Sequence, residues 1–232
     1  MVTDYGGLPA DWKQFKEISQ KYNIHLINDN CHALGSKYKK DRSYQLKYAD
    51  YLIQSFHAVK NITTGEGGAL ITNDKVVFKK IRDLREHGFK SFHQINSPWD
   101  YDIEKPGYNF RLSEMNCALG CSQIKRINSI ITKRRKISKL YDNFFKNYEY
   151  IKTVKIYKNK LNSYHLYPII INFKKLKKNQ TKFFKILKKK YKIQLQKHYI
   201  PSYRFSYFRK KYKSKFSNFK NTEEFYKNSF SL

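Results

Sequence analysis

Two short stretches hold residues whose chemistry could be joined. Asp29 follows the run Ile24-His25-Leu26-Ile27-Asn28, and Lys60 follows the run Tyr51-Leu52-Ile53-Gln54-Ser55-Phe56 by way of His57-Ala58-Val59. Both runs read as β-strands. A carboxylate therefore lies just past one strand and a primary amine just past another, at the end where α/β sheets present ligand-binding groups. An amine so placed can attack a carbonyl carbon if its surroundings favour the neutral form. Thr63-Thr64-Gly65-Glu66-Gly67-Gly68 comes next, and its glycines permit a tight turn beside a ligand. Neither residue type is informative by itself. Most lysines are solvated surface, and an aspartate after a strand is more often a cap or a turn residue.

The elements that must position these groups can be read from periodicity. Trp12, Phe15, Ile18 and Tyr22 recur at helical spacing, predicting an amphipathic helix over 9–22 with Pro9 near its first turn. A third strand fits Ala69–Thr72, after which Asp74 can cap a helix that buries Val77, Ile81 and Leu84 and stops at Gly88. Strands separated by helices predict an α/β sheet. From Ser113 a helical pattern runs to about Asn147, with Leu119, Ile127, Ile130, Ile131, Ile137, Leu140 and Phe144 on its apolar side. Beyond it, strands are expected over 150–157, 164–173 and 193–199 and a basic helix over 181–191. Residues 202–221 are too rich in Lys, Tyr and Phe to assign. The expected organisation is a partial large α/β domain over 1–112, a connecting helix over 113–147 and a partial small α+β domain over 148–232. The chain begins almost on an element boundary and stops just after the helix-like EEFYKN, so truncation on both sides is expected.

Bulk composition narrows the class. With 232 residues and 40% hydrophobic side chains the chain can bury a core. No run is long and apolar enough to span a bilayer, and the first residues lack the basic start and apolar block of a signal peptide, so no membrane partner and a cytoplasmic location are expected. Cys31, Cys117 and Cys121 show no CxxC spacing. Neither a metal site nor a disulfide framework is expected, and Cys117 and Cys121, one helical turn apart, read as packing residues. Charge is uneven: residues 1–120 hold 17 Lys and Arg against 14 Asp and Glu, residues 121–232 hold 31 against 4. Clustered cations can serve a phosphate-rich partner. Here lysine far outnumbers arginine, the better phosphate fork, and travels with Asn, Ile, Tyr and Phe, so a solvated surface of biased composition is the favoured reading and nucleic acid is not expected as a partner.

Longer segments carry a resemblance. Ile27-Asn28-Asp29-Asn30-Cys31-His32-Ala33-Leu34-Gly35 and SFHAVKNITTGEGGALITND (Ser55 to Asp74) are followed in order by Arg82–Gly88, by Gly107-Tyr108-Asn109-Phe110-Arg111-Leu112-Ser113 and by His198-Tyr199-Ile200-Pro201. This series resembles the DegT/DnrJ/StrS-type sugar aminotransferases, most fully over residues 1–145. The resemblance implies part of the large domain of a fold type I enzyme plus part of its small domain, with pyridoxal 5'-phosphate (PLP) as cofactor. It implies that Lys60 bonds the cofactor covalently and later shuttles a proton, that Asp29 pairs with the pyridine nitrogen, and that His32 lies against the ring. Ser55 would bind the cofactor phosphate, and Asn109 the cofactor phosphate of a partner subunit, making the enzyme a homodimer. Arg111 reads as a structural ion-pairing residue.

The implied reaction moves an amino group from a donor, glutamate, to a nucleotide-linked keto-sugar. Pro98–Glu104 leading into Gly107-Tyr108-Asn109 looks most like relatives that aminate position four of a UDP-linked deoxyhexose on the way to pseudaminic-type acids. Asn28, Asn30 and Ala58 depart from the family pattern. The family's phosphate loop and ring-stacking aromatic fall upstream of Met1, so the isolated chain is expected to bind the cofactor weakly or not at all. The alternatives are a catalytically inactive basic binding protein and a degraded gene fragment.

Overall fold

A computed structural model describes residues 1–89, 102–177, 179–212 and 216–232. The chain forms two compact units, residues 1–133 with 157–165, and residues 134–156 with 166–232. The first carries β1 (Val2–Thr3), α1 (Trp12–Tyr22), β2 (Ile27–Asp29), β3 (Lys37–Tyr38), α2 (Tyr44–Tyr48), β4 (Tyr51–Ser55), β5 (Gly68–Thr72), α3 (Lys75–Arg85), α4 (Glu114–Lys125) and the start of α5 (Ile127–Phe145). Its sheet has the order β1-β2-β4-β5, the first three parallel and β5 antiparallel at the edge. Trp12, Leu26, Tyr38, Tyr44 and Ala49 form the buried core, with Val2, Ala10, Phe15 and Tyr48 packed against it.

Local chemistry accounts for where several expectations shift. β2 starts at Ile27 rather than Ile24 because the preceding backbone is already satisfied: Ile24 bonds the end of α1 through Ser19, and Leu26 N donates to the Asp50 carboxylate at 2.8 Å. Pro9 lies outside α1, which begins at Trp12. Only the first part of the expected face is covered, since Ile18 and Tyr22 are exposed. Asp74 caps α3 by accepting from Val76 N and Val77 N, and Gly88 beyond its end takes φ +84°.

The single helix expected over 113–147 is instead two. α4 closes at Arg126, whose N–H turns back to Gln123 O, and α5 then starts at Ile127. Its first turns pack on Gly35, where a Cβ would come within 2.9 Å of the Ile131 side chain. Ile131 is buried, whereas Leu119, Ile137, Leu140 and Phe144, expected on the covered side, are exposed.

Further along lie β6 (Ile151–Thr153), β7 (Lys160–Leu161), β8 (Pro168–Ile171), α6 (Phe173–Leu176), α7 (Gln180–Tyr191), α8 (Ser206–Tyr212), α9 (Lys220–Asn228) and β9 (Ser229–Ser231). β7 belongs to the first unit and pairs antiparallel with β3. The second unit is built on an antiparallel sheet of order β6-β8-β9. Residues 193–199, expected as a strand, form no strand: among the described residues their ladder pairing with β9 is the single bridge between Gln196 and Ser231. The third strand is β9, too short to announce itself by alternation, with all three residues buried.

Candidate active site

Register brings the candidate groups to one face. Thr3 pairs with Asp29 and Asp29 with Ile53, so these three side chains point the same way, and alternation along β4 adds Ser55. Asp29 and Ser55 thus stand at the carboxyl ends of adjacent parallel strands, on the same side of the sheet. On the opposite side, Leu52 and Gln54 line a cavity of about 600 Å³ with Leu34, Ile62, Leu112 and Ile124. Residues of a chemical site and a packing surface are therefore separated by the pleat.

The Asp29 carboxylate is held by two donors, Cys31 N on Oδ1 at 3.1 Å and Thr3 Oγ1 on Oδ2 at 3.2 Å. It stays half-buried. Beside it, burial pushes the Cys31 thiol up to about 12, Asp29's hydrogen bond and charge push the same way, and the charge of Lys60 pulls it back. One thiol thus feels both the carboxylate and the amine.

Lys60 is half-buried in the loop after β4, where its N–H closes a turn on His57 O at 3.0 Å. The loop is fixed at both ends. Phe56 N donates to Gly67 O, Thr64 N and Thr63 Oγ1 donate to Phe56 O, and Gly67 takes φ +145°, with no room for a Cβ against Thr64 and Leu112. Next to the lysine, buried Asn61 donates through Nδ2 to Leu34 O at 3.1 Å. That bond ties the lysine loop to the turn that follows Asp29.

His32 ends up buried in that turn, its Nδ1 accepting Gly6 N at 3.3 Å. Its ring lies 6.0 Å from that of Tyr5 and 4.4 Å from that of His165, centroid to centroid. Ser55 Oγ accepts His57 N at 3.4 Å, the geometry of a turn-forming serine. Asn109 is exposed, in a segment whose backbone bonds the end of α3 through Leu84, Arg85 and His87. It sits between exposed Tyr108 and Phe110, whose rings stack at 4.8 Å. Arg111 pairs with Glu86 at 3.1 Å and, with Arg85, holds the Glu86 carboxyl below the usual carboxylate range.

Sequence reading passed over a fully buried carboxylate. Asp4 is fully buried beyond β1; Oδ1 accepts Ala10 N and Trp12 Nε1, and Oδ2 accepts Asn28 Nδ2, Asn30 Nδ2 and Tyr44 OH, at 2.7 to 3.2 Å. Burial pushes its carboxyl up while the hydrogen bonds pull it down. Asn28 and Asn30, read as departures beside Asp29, are two of these donors. Asn61 was likewise missed, as was His165, which reaches His32 from a distant segment. Each depends on a long-range partner, so no local pattern marks them. The donor set fits PLP: an acidic group and an amine feel a common thiol, a serine hydroxyl shares the carboxylate's face, and glycine keeps the intervening loop tight. Among the described residues no group of three or more His, Cys, Asp or Glu side chains could hold a metal, and no helix is long and apolar enough to cross a membrane.

A mixed, mainly parallel α/β sheet of this kind is consistent with part of the fold type I aminotransferase architecture. A sequence profile of the DegT/DnrJ/EryC1/StrS aminotransferase family matches residues 1–232, and the chain belongs to that family. It is 41% identical over 209 residues to the UDP-4-amino-4,6-dideoxy-N-acetyl-beta-L-altrosamine transaminase of Campylobacter jejuni subsp. jejuni serotype O:23/36 (strain 81-176), covering 90% of this chain and 54% of that protein. Helicobacter pylori PseC, an aminotransferase involved in the biosynthesis of pseudoaminic acid, superposes with a TM-score of 0.88 at 31% identity, over 99% of this chain and 59% of that one. A PLP form of Spr1654 from Streptococcus pneumoniae gives a TM-score of 0.83 at 25% identity, over 99% and 61%. The chain therefore spans between about half and three-fifths of the length of these relatives.

Proposed function

We propose that this chain carries the lysine and carboxylate half of a PLP-dependent aminotransferase acting on a nucleotide-linked keto-sugar, with glutamate as amino donor. The observation that carries the reading is the bond from Asn61 Nδ2 to Leu34 O, which holds the Lys60 loop against the turn behind Asp29 at the carboxyl ends of adjacent parallel strands. Bound PLP supplies a carbonyl carbon that carries the amino group and a ring that accepts electrons. Lys60 holds the cofactor covalently and, once displaced, moves the proton at the substrate carbon. Asp29, oriented by Thr3 and Cys31, holds a proton at the pyridine nitrogen. His32 lies against the ring, and Ser55 binds the phosphate from the face it shares with Asp29.

Asn109 completes the phosphate site of a second copy, and the exposed aromatic rings on either side of it support a homodimer contact there. The names of the relatives support a UDP-linked 4-keto-deoxyhexose as the acceptor. Pro98 to Tyr101, part of the run that first suggested this sugar, lie outside the described residues. The enzyme is read as cytoplasmic.

Borohydride trapping tests the reading, because reduction makes even weak binding irreversible. The chain is mixed with excess PLP, reduced, digested and weighed by mass spectrometry. A cofactor-derived mass concentrated on Lys60, and absent from Lys60→Ala, is expected. A mass spread evenly over the surface lysines would overturn it.

A further inference from the structure

The ring of His32 is held in one protonation state by its neighbours. Its Nδ1 accepts the Gly6 N–H at 3.3 Å, and a ring nitrogen that accepts carries no proton, so the neutral ring keeps its proton on Nε2. Protonating the ring would set two donors face to face. Gly6 points its N–H there from φ +65°, in the left-handed region.

The second restraint arrives from far along the chain. Ser163 N donates to Gly7 O at 3.0 Å, and Ser163 Oγ donates to His32 O at 3.1 Å. The approach is so close that a Cβ on Gly7 would stand 2.6 Å from Ser163 Oγ and 2.7 Å from Tyr164 N. This segment brings the His165 imidazole to 4.4 Å from that of His32, centroid to centroid, with the planes inclined at 41°. Two imidazolium ions at that spacing repel strongly, so the pair takes up at most one proton beyond the one each neutral ring carries. Gly6 decides which ring takes it, and that ring is His165. Titratable groups near His32 include Tyr5, at 6.0 Å between ring centroids, and Cys31 and Asp29 just before it in the chain.

We propose that Gly6, Ser163 and His165 lock His32 as a neutral imidazole with its proton on Nε2, His165 acting as a positioning residue. The inference rests on the reading that His32 faces the cofactor; there an oriented neutral N–H donates to an electron-rich ligand group without adding a positive charge. The family motif accounts for His32, and nothing in it requires the second ring.

Long-range 1H–15N NMR of the 232-residue chain tests the lock without cofactor or activity, with His32→Gln and His165→Gln used for assignment. His32 is expected to show a bare Nδ1 and a protonated Nε2 from about pH 8 down to about pH 5.5, the range over which an ordinary histidine titrates, while His165 takes up the proton. Protonation of both His32 nitrogens in that range, or a proton on Nδ1 alone, would overturn the proposal. In His165→Phe, which keeps a ring in place, His32 should take up its proton at a higher pH than in the parent chain. An unchanged His32 titration in that variant would reduce His165 to packing and also overturn it. These outcomes are separable from the aminotransferase reading, which stands or falls on where borohydride fixes the cofactor.

Discussion

The two units solve the problem of charge in opposite ways. The first carries 22 Lys and Arg against 14 Asp and Glu and surrounds the carboxylates of Asp4 and Asp29 with neutral hydrogen-bond donors. The second carries 26 against 4, too few carboxylates to pair its cations, and leaves most of them in water. Where it does bring a cation inward, aromatic faces and carbonyls receive it. Lys197 donates to Tyr226 O at 2.6 Å near the end of α9 and lies over the rings of Tyr226 and Phe230 at 4.5 and 4.8 Å. Burial, with the charge of Arg204, holds its ammonium below the ordinary lysine range. Arg204 in turn forks onto Glu223, which also accepts from Tyr203 OH. Buried polar contacts that fix direction are concentrated in the unit that must aim reactive groups. The other unit is held mainly by apolar and ring contacts, which tolerate a drift toward lysine on its surface.

That contrast can be broken most sharply at Asp4. Asp4→Ala leaves five donors facing an empty pocket. At about 1–3 kcal/mol for each that stays unsatisfied, a loss of at least about 3 kcal/mol is expected even if water reaches some of them. Hydrogen exchange should rise first at β1, β2 and β4, with β8 and β9 less affected. If urea midpoints barely move, the network is not what holds the first unit together. Phe230→Ala is the counterpart. Phe230 is buried against Phe184 and Phe173, at 4.5 and 5.8 Å between ring centroids. Its removal should cost about 3–4 kcal/mol through the cavity left behind, with faster exchange confined to β8 and β9. Equal acceleration in both units would mean that they do not unfold separately.

The parts legible in sequence were those that local rules govern. The strands β4 and β5 and helix α3 follow from strand-forming runs, a glycine turn, an aspartate cap and a glycine stop, and each is found within a residue or two. The face shared by Asp29 and Ser55 was legible only in outline, since register decides it and register is a tertiary fact. Helix amphipathicity misled at α5, where Ile137, Leu140 and Phe144 keep the spacing of a covered stripe yet stand in solvent. Asp4 could not have been singled out, because three of its five donors, Asn28, Asn30 and Tyr44, come from at least 24 residues away.

The finest test asks whether Asp29 and Lys60 act on a common point before any cofactor is added. Cys31 is the probe. Thiolate, not thiol, reacts with iodoacetamide, and a thiol pushed up to about 12 is ionised to roughly one part in ten thousand at pH 8. The parent chain should therefore alkylate slowly at Cys31, with the rate rising about tenfold per pH unit toward pH 11. Asp29→Asn removes a negative neighbour and its hydrogen bond, which lowers the thiol pKa and speeds labelling at fixed pH. Lys60→Gln removes a positive neighbour, which raises it and slows labelling by a smaller factor, since the amine exerts the weaker pull. Burial, the largest cause, is common to both variants and cannot produce opposite signs. Peptide mass spectrometry of timed alkylation resolves Cys31 from exposed Cys121. If the two substitutions shift the Cys31 rate in the same direction, the amine and the carboxylate do not converge there, and the first unit loses the coupled charges that set it apart from the second.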